Sequence, residues 1–198
     1  MARRHVKLLM VLDESASMAN IAAETIQGVN QYVEKLAQGS DARIDAALMQ
    51  FATTHRVVRP LGPIRSWKPL TEADYQATGA STALYDAVGD LYTMVQLIDD
   101  GKPVMVVVVT DGLDNGSYRH TKQAIATATQ QLEKLGHFTF AYLGANQDAW
   151  AVGSSINYTN TYTWKPANVV QVYHTLTESS VIFCNSTATA TRSLFTTP

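Results

Sequence analysis

The chain alternates between continuous hydrophobic runs and amphipathic segments. Two of the runs, residues 6–13 and 103–111, are almost wholly apolar, and each ends in an aspartate. Runs of this kind are typical of strands that are buried on both faces, at the centre of a parallel sheet. A third run, residues 137–145, predicts a further strand that ends near Gly144.

One more region shows a period of two, in which Ile44, Ala46 and Leu48 alternate with Asp45 and Ala47. Residues 42–53 and 55–61 read as two short strands separated by a tight turn, and Ile44 and Leu48 face the same side as Ala46. Such a pair predicts a β-hairpin. We therefore expect one antiparallel edge strand near residues 54–59.

Helical periodicity separates these runs. Apolar residues recur at steps of three and four, which predicts amphipathic helices. The four segments are residues 18–36, 82–99, 121–136 and 168–183, and Gly136 predicts the C-terminal cap of the third. Strands that alternate with helices predict an α/β fold. We expect a single domain over residues 1–198, with a doubly wound, mainly parallel sheet and helices on both faces.

Composition narrows the classes of function. The chain is 46% hydrophobic and 16% charged, with a net charge of −2, and no basic patch indicates a nucleic-acid partner. The apolar segment near the N-terminus is too short to span a membrane and lacks an A-x-A cleavage site, so it reads as a buried strand. Cys184 is the only cysteine, which excludes a disulfide framework and a cysteine-based zinc site. We expect a cytoplasmic location.

Candidate chemistry lies where the strands end. In open α/β sheets, ligands bind at the carboxyl ends of strands, where the strand order reverses. Asp13 and Asp111 end the two hydrophobic strands, and the small-residue loop that contains Thr82 opens a helix. If the two strands are neighbours, these three loops meet above the sheet.

Oxygen donors gather in these loops. Together they offer two carboxylates and three hydroxyls: Asp13, Ser15, Ser17, Thr82 and Asp111. Mg²⁺ prefers such hard ligands in near-octahedral geometry, and Mn²⁺ or Ca²⁺ would also accept them. Soft ligands are absent from the set, which disfavours zinc and copper.

Each motif has a simpler explanation when it is taken alone. A D-x-S-x-S sequence also caps helices, T-D-G is an ordinary turn, and the Thr82 loop is a helix start. Only their combination, in this order, favours a metal site. Nearby polar residues are predicted to serve as loop and cap residues: Asp114, Asn115, Ser117, Asn146 and Asp148. Trp67 and Tyr75 are either contact residues for a partner or buried beneath a long loop.

The motifs resemble those of von Willebrand factor type A domains. "DESAS" at residues 13–17 is similar to the D-x-S-x-S motif of that family, "GASTALYDA" at 79–87 to its threonine loop, and "TDG" at 110–112 to its second aspartate. Ala16 stands where the family frequently has glycine, and Ser81 offers a second hydroxyl beside Thr82. "YQATG" and "LGANQDA" resemble small stand-alone bacterial or phage members. The resemblance implies a metal-ion-dependent adhesion site built from Asp13, Ser15, Ser17, Thr82 and Asp111.

Two classes of function remain. The first is a binding module in which a divalent cation bridges the domain to an Asp or Glu of a partner protein. The second is a metal-dependent hydrolase or phosphatase that acts through a metal-activated water. The sequence has no D-x-D nucleophile motif, no G-K-[ST] phosphate loop and no G-x-S-x-G elbow. We therefore expect a binding protein rather than an enzyme.

Overall fold

A six-stranded sheet forms the centre of the computed structural model, which describes residues 3–145 and 149–195. The strands are β1 (His5–Asp13), β2 (Arg43–Phe51), β3 (His55–Pro63), β4 (Val104–Thr110), β5 (Phe138–Ala145) and β6 (Asn160–Trp164). Their order in the sheet is β3-β2-β1-β4-β5-β6. All neighbours pair in parallel except β3, which runs antiparallel to β2 at one edge. The predicted fold class is confirmed.

Helices cover both faces of this sheet. The described residues form five α-helices: α1 (Ala22–Gly39), α2 (Leu84–Ile98), α3 (Lys122–Lys134), α4 (Ala149–Ser155) and α5 (Val169–Asn185). α1 and α5 share one hydrophobic core with the sheet, while α2, α3 and α4 share the other. Every residue of β4 is buried, because helices shield it on both sides. This double burial explains why its sequence is continuously apolar.

The strand order places the carboxyl ends of β1 and β4 side by side. After β1 the chain builds β2 and β3 on one side, and it then crosses over to add β4 on the other. Leu12 pairs with Val109, which brings Asp13 level with Thr110. The predicted adjacency of the two hydrophobic strands is therefore confirmed, and a crevice forms where the strand order reverses.

Element ends differ in detail from the sequence-based expectations. The helix predicted from Met18 starts with a short 3₁₀ helix, Ala16–Ile21, and becomes α-helical at Ala22. β4 ends at Thr110, so Asp111 is the first loop residue. Gly136 has a φ of 77° after α3, and its N–H donates to the carbonyl of Glu133, as expected of a C-terminal cap.

Two elements near the second edge of the sheet have no counterpart in the predictions. α4 is only seven residues long, and β6 is an edge strand with partly exposed, polar residues. Asn146 and Asp148 lie outside the described residues. In the described part of the chain, no helix combines the length and the apolar character needed to cross a membrane.

Candidate metal centre

Asp13 lies at the bottom of the crevice and is fully buried. Its Oδ1 accepts a hydrogen bond from the backbone N–H of Ser15 at 2.8 Å, and its Oδ2 accepts one from the Thr110 hydroxyl at 2.5 Å. The Tyr75 hydroxyl donates to the carbonyl oxygen of Asp13 at 2.6 Å. These contacts fix the carboxylate in one orientation, at the junction of β1 and β4.

Two serine hydroxyls link Asp13 to the second carboxylate. The Oγ atoms of Ser15 and Ser17 are 3.0 Å apart, and the Ser17 hydroxyl donates to Oδ1 of Asp111 at 2.7 Å. Ser15 is buried and Ser17 is exposed, so the cluster extends from the interior to the surface. The structure therefore brings four of the five predicted donors into one chain of contacts.

The loop that carries the fifth donor, Thr82, contacts the first motif through the backbone of Gly79. The N–H of Gly79 donates to the carbonyl of Glu14 at 3.1 Å, and the N–H of Ala16 donates to the carbonyl of Gly79 at 2.9 Å. A Cβ atom at Gly79 would lie 2.1 Å from the Cβ of Ala52, so only glycine fits there. This contact aligns the threonine loop with the first motif.

The hydroxyl of Thr82 itself lies beside the third loop. Thr82 is buried, and its Oγ1 is 3.4 Å from where a Cβ atom of Gly112 would be. The neighbouring Ser81 instead donates its hydroxyl to Oγ1 of Thr53 at 3.0 Å. The Ser81 Oγ also lies 2.7 Å from where a Cβ atom of Gly116 would be, so both hydroxyls border the loop after β4. Thr82 is the one beside Gly112, the residue that follows Asp111.

Three polar residues after β4 hold the threonine loop and the start of α2. Asn115 accepts from the N–H of Thr82 at 2.7 Å through its Oδ1. Asp114 accepts from the N–H of Tyr85 at 3.2 Å, and Ser117 accepts from the N–H of Asp86 at 3.0 Å. Their predicted role as cap residues is confirmed, although the helix they cap precedes them by about 30 positions in the chain.

Asp86, in the first turn of α2, completes this attachment and was not anticipated from the sequence. Its buried carboxylate accepts from the N–H groups of Tyr118, Arg119 and His120 at 3.2, 3.0 and 2.8 Å. Burial raises the pKa of Asp86, but these hydrogen bonds and the Arg119 charge outweigh burial, and the net pKa is lowered. Asp86 therefore holds the loop as a carboxylate.

The two carboxylates of the cluster behave in the opposite way. Burial raises the pKa of Asp13, which hydrogen bonds from Thr110 and Ser15 offset only in part, and the negative charge of Asp111 raises it further. Burial likewise raises the pKa of Asp111, against the hydrogen bond from Ser17. No cationic side chain among the described residues contributes to either shift. Each carboxylate thus lacks a positive partner from this part of the chain.

A hard divalent cation fits this donor set. Two carboxylates and three hydroxyls are oxygen ligands, and adjacent ligands at the 2.0–2.1 Å distance typical of Mg²⁺ are about 3 Å apart in an octahedron. The Ser15 and Ser17 oxygens have this separation, 3.0 Å. Within the described ranges, no three His, Cys, Asp or Glu residues cluster as a metal site, so the hydroxyls are essential to the set.

Glu14, next to Asp13, is engaged elsewhere. Its carboxylate forms a salt bridge with Arg56, and Arg56 also donates to Oε1 of Gln50 at 2.7 Å. The side chain therefore points away from the cluster, as expected for the residue that follows Asp13 on an extended strand.

Two aromatic residues that were open candidates for partner contacts are placed differently. Tyr75 is buried and supports Asp13 from below, so it is not a contact residue. Trp67 follows the end of β3, at the level where Pro63 pairs with Asp45. Because β3 runs antiparallel, this is the opposite end of the sheet from Asp13. Trp67 is partly buried and packs against the core that α1 and α5 share. Of its two alternatives, contact with a partner bound at the metal centre is therefore wrong.

Together, the fold and the donor cluster define an open α/β domain with an oxygen-lined cation centre at the point where the strand order reverses. The sequence profile of the von Willebrand factor type A domain matches residues 8–165. The chain belongs to this family.

Solved structures share the fold at low sequence identity. The vWF domain of the type V pili tip protein Mfa5 from Porphyromonas gingivalis is 13% identical, with a TM-score of 0.67 over 94% of this chain and 98% of that one. The pilus adhesin SpaC from Lactobacillus rhamnosus GG, in an open conformation, is 14% identical, with a TM-score of 0.70 over 91% of this chain and 30% of that one.

A third structure carries a metal. It is proximal thread matrix protein 1 from the mussel byssus, described with a zinc-occupied MIDAS (metal-ion-dependent adhesion site) motif. It is 15% identical, with a TM-score of 0.62 over 92% of this chain and 49% of that one. The chain thus spans less than half of the SpaC and mussel proteins. A search of curated proteins found no match.

Proposed function

We propose that the protein is a metal-dependent binding module in which a divalent cation bridges the domain to a carboxylate of a partner protein. Von Willebrand factor type A domains commonly act as metal-dependent protein-binding modules. The observation that carries the proposal is the convergence of Asp13 and Asp111, both of raised pKa, with the hydroxyls of Ser15 and Ser17 at the crevice. The Thr82 hydroxyl lies nearby, against Gly112. A carboxylate pair without a positive partner favours binding of a cation.

The ligands that we assign to the cation are Asp13, Ser15, Ser17, Thr82 and Asp111. Asp13 and Asp111 supply negative charge that offsets the dehydration of the ion, and the hydroxyls supply lone pairs. We propose Mg²⁺ as the resident cation, with Mn²⁺ or Ca²⁺ as alternatives, because every donor is a hard oxygen. Zinc occupies the corresponding motif of the mussel protein, which supports a divalent ion at this type of site.

The partner would approach from the side of Ser17 and Asp111. Ser17 is exposed and Asp111 is half-buried, whereas Asp13, Ser15 and Thr82 are buried. A cation bound here would supply an electrophilic centre with one coordination position open to solvent, as open metal sites have. An Asp or Glu side chain of a partner protein is the anion that suits this position.

A metal-dependent hydrolase or phosphatase is the second candidate, and the surroundings of the site disfavour it. General acid–base catalysis needs a titratable group within reach of the reacting atoms. The nearest additional carboxylate along the chain, Glu14, is held by Arg56. The adhesin and matrix proteins of similar fold also agree with a binding role. A cytoplasmic location and a bacterial or phage source stay predictions of the sequence.

The test is cation-dependent binding to an identified partner. The partner is isolated by pull-down with Mg²⁺ and then purified, and the dissociation constant is measured with Mg²⁺ and with EDTA. We expect binding to be lost in EDTA and in a partner whose candidate acidic residue is replaced by Asn or Gln. Undiminished binding in EDTA would contradict the proposal. Turnover of a phosphate ester that disappears in Asp13→Ala would favour the hydrolase instead.

A further inference from the structure

Two large apolar side chains are exposed on the loop that follows β4. Leu113 is 59% exposed and Tyr118 is 83% exposed. Isolated apolar residues are common on protein surfaces, so exposure alone carries no conclusion. Their location and the rigidity of their loop are what distinguish this pair.

The loop contacts place both residues beside the metal centre. Leu113 follows Asp111 by two positions, and the intervening Gly112 lies against the Thr82 hydroxyl. The N–H of Tyr118 donates to Asp86, four residues after Thr82 in the first turn of α2. The two side chains therefore border the same end of the sheet as the exposed Ser17 and Asp111.

The loop is firmly attached although these side chains are exposed. The N–H groups of Asn115 and Gly116 donate to the Thr82 carbonyl at 3.0 and 3.1 Å, in addition to the contacts made by Asp86. The Arg119 guanidinium lies 5.9 Å from the Tyr118 ring centroid and is itself bound to Asp90 at 2.7 Å. A surface fixed in this way loses little conformational entropy when a partner binds.

We propose that Leu113 and Tyr118 form an apolar contact surface for the partner segment that carries the metal-binding carboxylate. The inference rests on the proposed function. Its occupant is a protein segment in which an aromatic or aliphatic side chain lies close in sequence to the Asp or Glu. The cation attracts the acidic side chain, and the adjoining surface adds apolar burial, with Tyr118 as the kind of exposed aromatic residue that is enriched at binding hot spots.

The experiment uses a random peptide library displayed on phage, with one fixed Asp, selected on the whole protein in Mg²⁺. We expect the selected peptides to be enriched in apolar residues near the Asp. For the best peptide, we expect Leu113→Ser and Tyr118→Ser each to raise the dissociation constant about tenfold, as hot-spot residues do. Tyr118→Phe, which keeps the ring, should retain binding.

A matched control is Leu97→Ser. Leu97 is also 83% exposed, but it lies in the last turn of α2, next to Ile98, whose carbonyl binds Lys7 at the start of β1. It therefore lies at the opposite end of the sheet, and its replacement should leave peptide binding unchanged. Circular dichroism spectra show whether each variant is folded.

The outcomes separate the two proposals. Mg²⁺-dependent peptides that lack apolar enrichment, or that bind both serine variants as tightly as the wild type, overturn the apolar surface and leave the cation bridge intact. A selection that yields no acidic peptide dependent on Mg²⁺ overturns the cation bridge and, with it, the apolar surface.

Discussion

Two pairs of aspartates lie at the same end of the molecule in opposite electrostatic environments. Asp86 and Asp90 face positive partners: Asp86 accepts three backbone N–H bonds near Arg119, and Asp90 binds His55 at 2.9 Å and Arg119 at 2.7 Å. Burial raises the pKa of each, but these partners outweigh burial and lower it. Asp13 and Asp111 accept hydrogen bonds mainly from hydroxyl groups, and the charge of Asp111 repels that of Asp13. The pKa values of both are raised.

This difference shows what distinguishes a structural carboxylate from one available for a ligand. The chain itself supplies the positive charge for Asp86 and Asp90, which therefore attach the loop after β4 to α2. Asp13 and Asp111 carry a negative charge that the described residues leave uncompensated. In the proposed function, a divalent cation would supply that missing charge, so the first pair would contribute to stability and the second to binding.

The largest expected effect is on metal affinity. Asp13→Ala should lower Mg²⁺ affinity by about 1,000-fold, or about 4 kcal/mol, because it removes one of the two charges that offset dehydration of the ion. Isothermal titration calorimetry measures this, with Asp90→Ala as the matched control that retains affinity. Both variants should fold, since the core comes from the apolar strands. Equal affinities of the wild type and Asp13→Ala would contradict the assignment.

The next largest effect is on stability. Asp86→Ala should lower the free energy of unfolding by about 3 kcal/mol, because three backbone N–H groups lose a charged acceptor. Urea denaturation measures the change. Asp111→Ala, assayed alongside it in EDTA, should cost less than about 1 kcal/mol, because its carboxylate lacks a positive partner. A larger loss for Asp111→Ala than for Asp86→Ala would reverse the proposed division between the pairs.

A smaller effect is expected from the hydroxyl ligands. Ser15→Ala and Ser17→Ala should each weaken Mg²⁺ binding by about tenfold, since a neutral ligand is lost while both carboxylates remain. Ser117→Ala is the control: it removes a cap of α2 and costs about 1 kcal/mol of stability, but should leave Mg²⁺ affinity unchanged. Calorimetry measures the Mg²⁺ affinity of the three variants. Equal affinities of all three would argue against Ser15 and Ser17 as ligands.

The smallest effect is the pH dependence of stability in EDTA. Because the pKa of Asp111 is raised in the folded protein, its ionised form destabilises the fold, and this penalty disappears as the pH falls through the raised pKa. Because the pKa of Asp90 is lowered, its stabilisation is present above the ordinary value of 3.8 and is lost as the pH falls through the lowered pKa.

Urea denaturation at a series of pH values detects this contrast. Relative to Asp111→Asn, the wild type should gain stability on acidification, and relative to Asp90→Asn it should lose stability. If acidification changed the stability of the wild type in the same direction relative to both variants, Asp111 and Asp90 would not have opposite pKa shifts.

The sequence predicted the elements whose burial leaves a clear pattern. β1 and β4 are covered on both faces and read as continuous apolar runs, and β2–β3 reads as a hairpin. β6 was not predicted. It is an edge strand with partly exposed, mostly polar residues, so it shows neither a continuous apolar run nor a clear alternation. α4 was not predicted because its seven residues make only about two helical turns, which is too short for a clear helical periodicity.

At the site, sequence spacing predicted the residues that converge but not those that hold them. Thr82 and the loop of Asp111 are identified by motif, whereas Asp86 looks like any acidic residue in the first turn of a helix. Its partners lie 32–34 positions away, and a tertiary contact of that kind leaves no local signal. The same holds for Tyr75, which is 62 positions from the carbonyl that it supports.

The contact between Gly79 and Ala52 has a consequence for how this domain tolerates sequence change. Neither residue supplies a ligand oxygen, yet the hydrogen bonds of Gly79 flank Ser15, and the carbonyl of Ala52 accepts from the N–H of Ala83, next to Thr82. A Cβ atom at position 79 would lie 2.1 Å from the Cβ of Ala52 and 3.3 Å from the carbonyl oxygen of Glu14. One added methyl group would therefore push the threonine loop away from the turn after β2 and from the first motif. In the proposed function, the affinity for the cation would therefore depend partly on two positions that never touch it. A change in the size of either residue would alter that affinity while all five proposed ligands stayed in place.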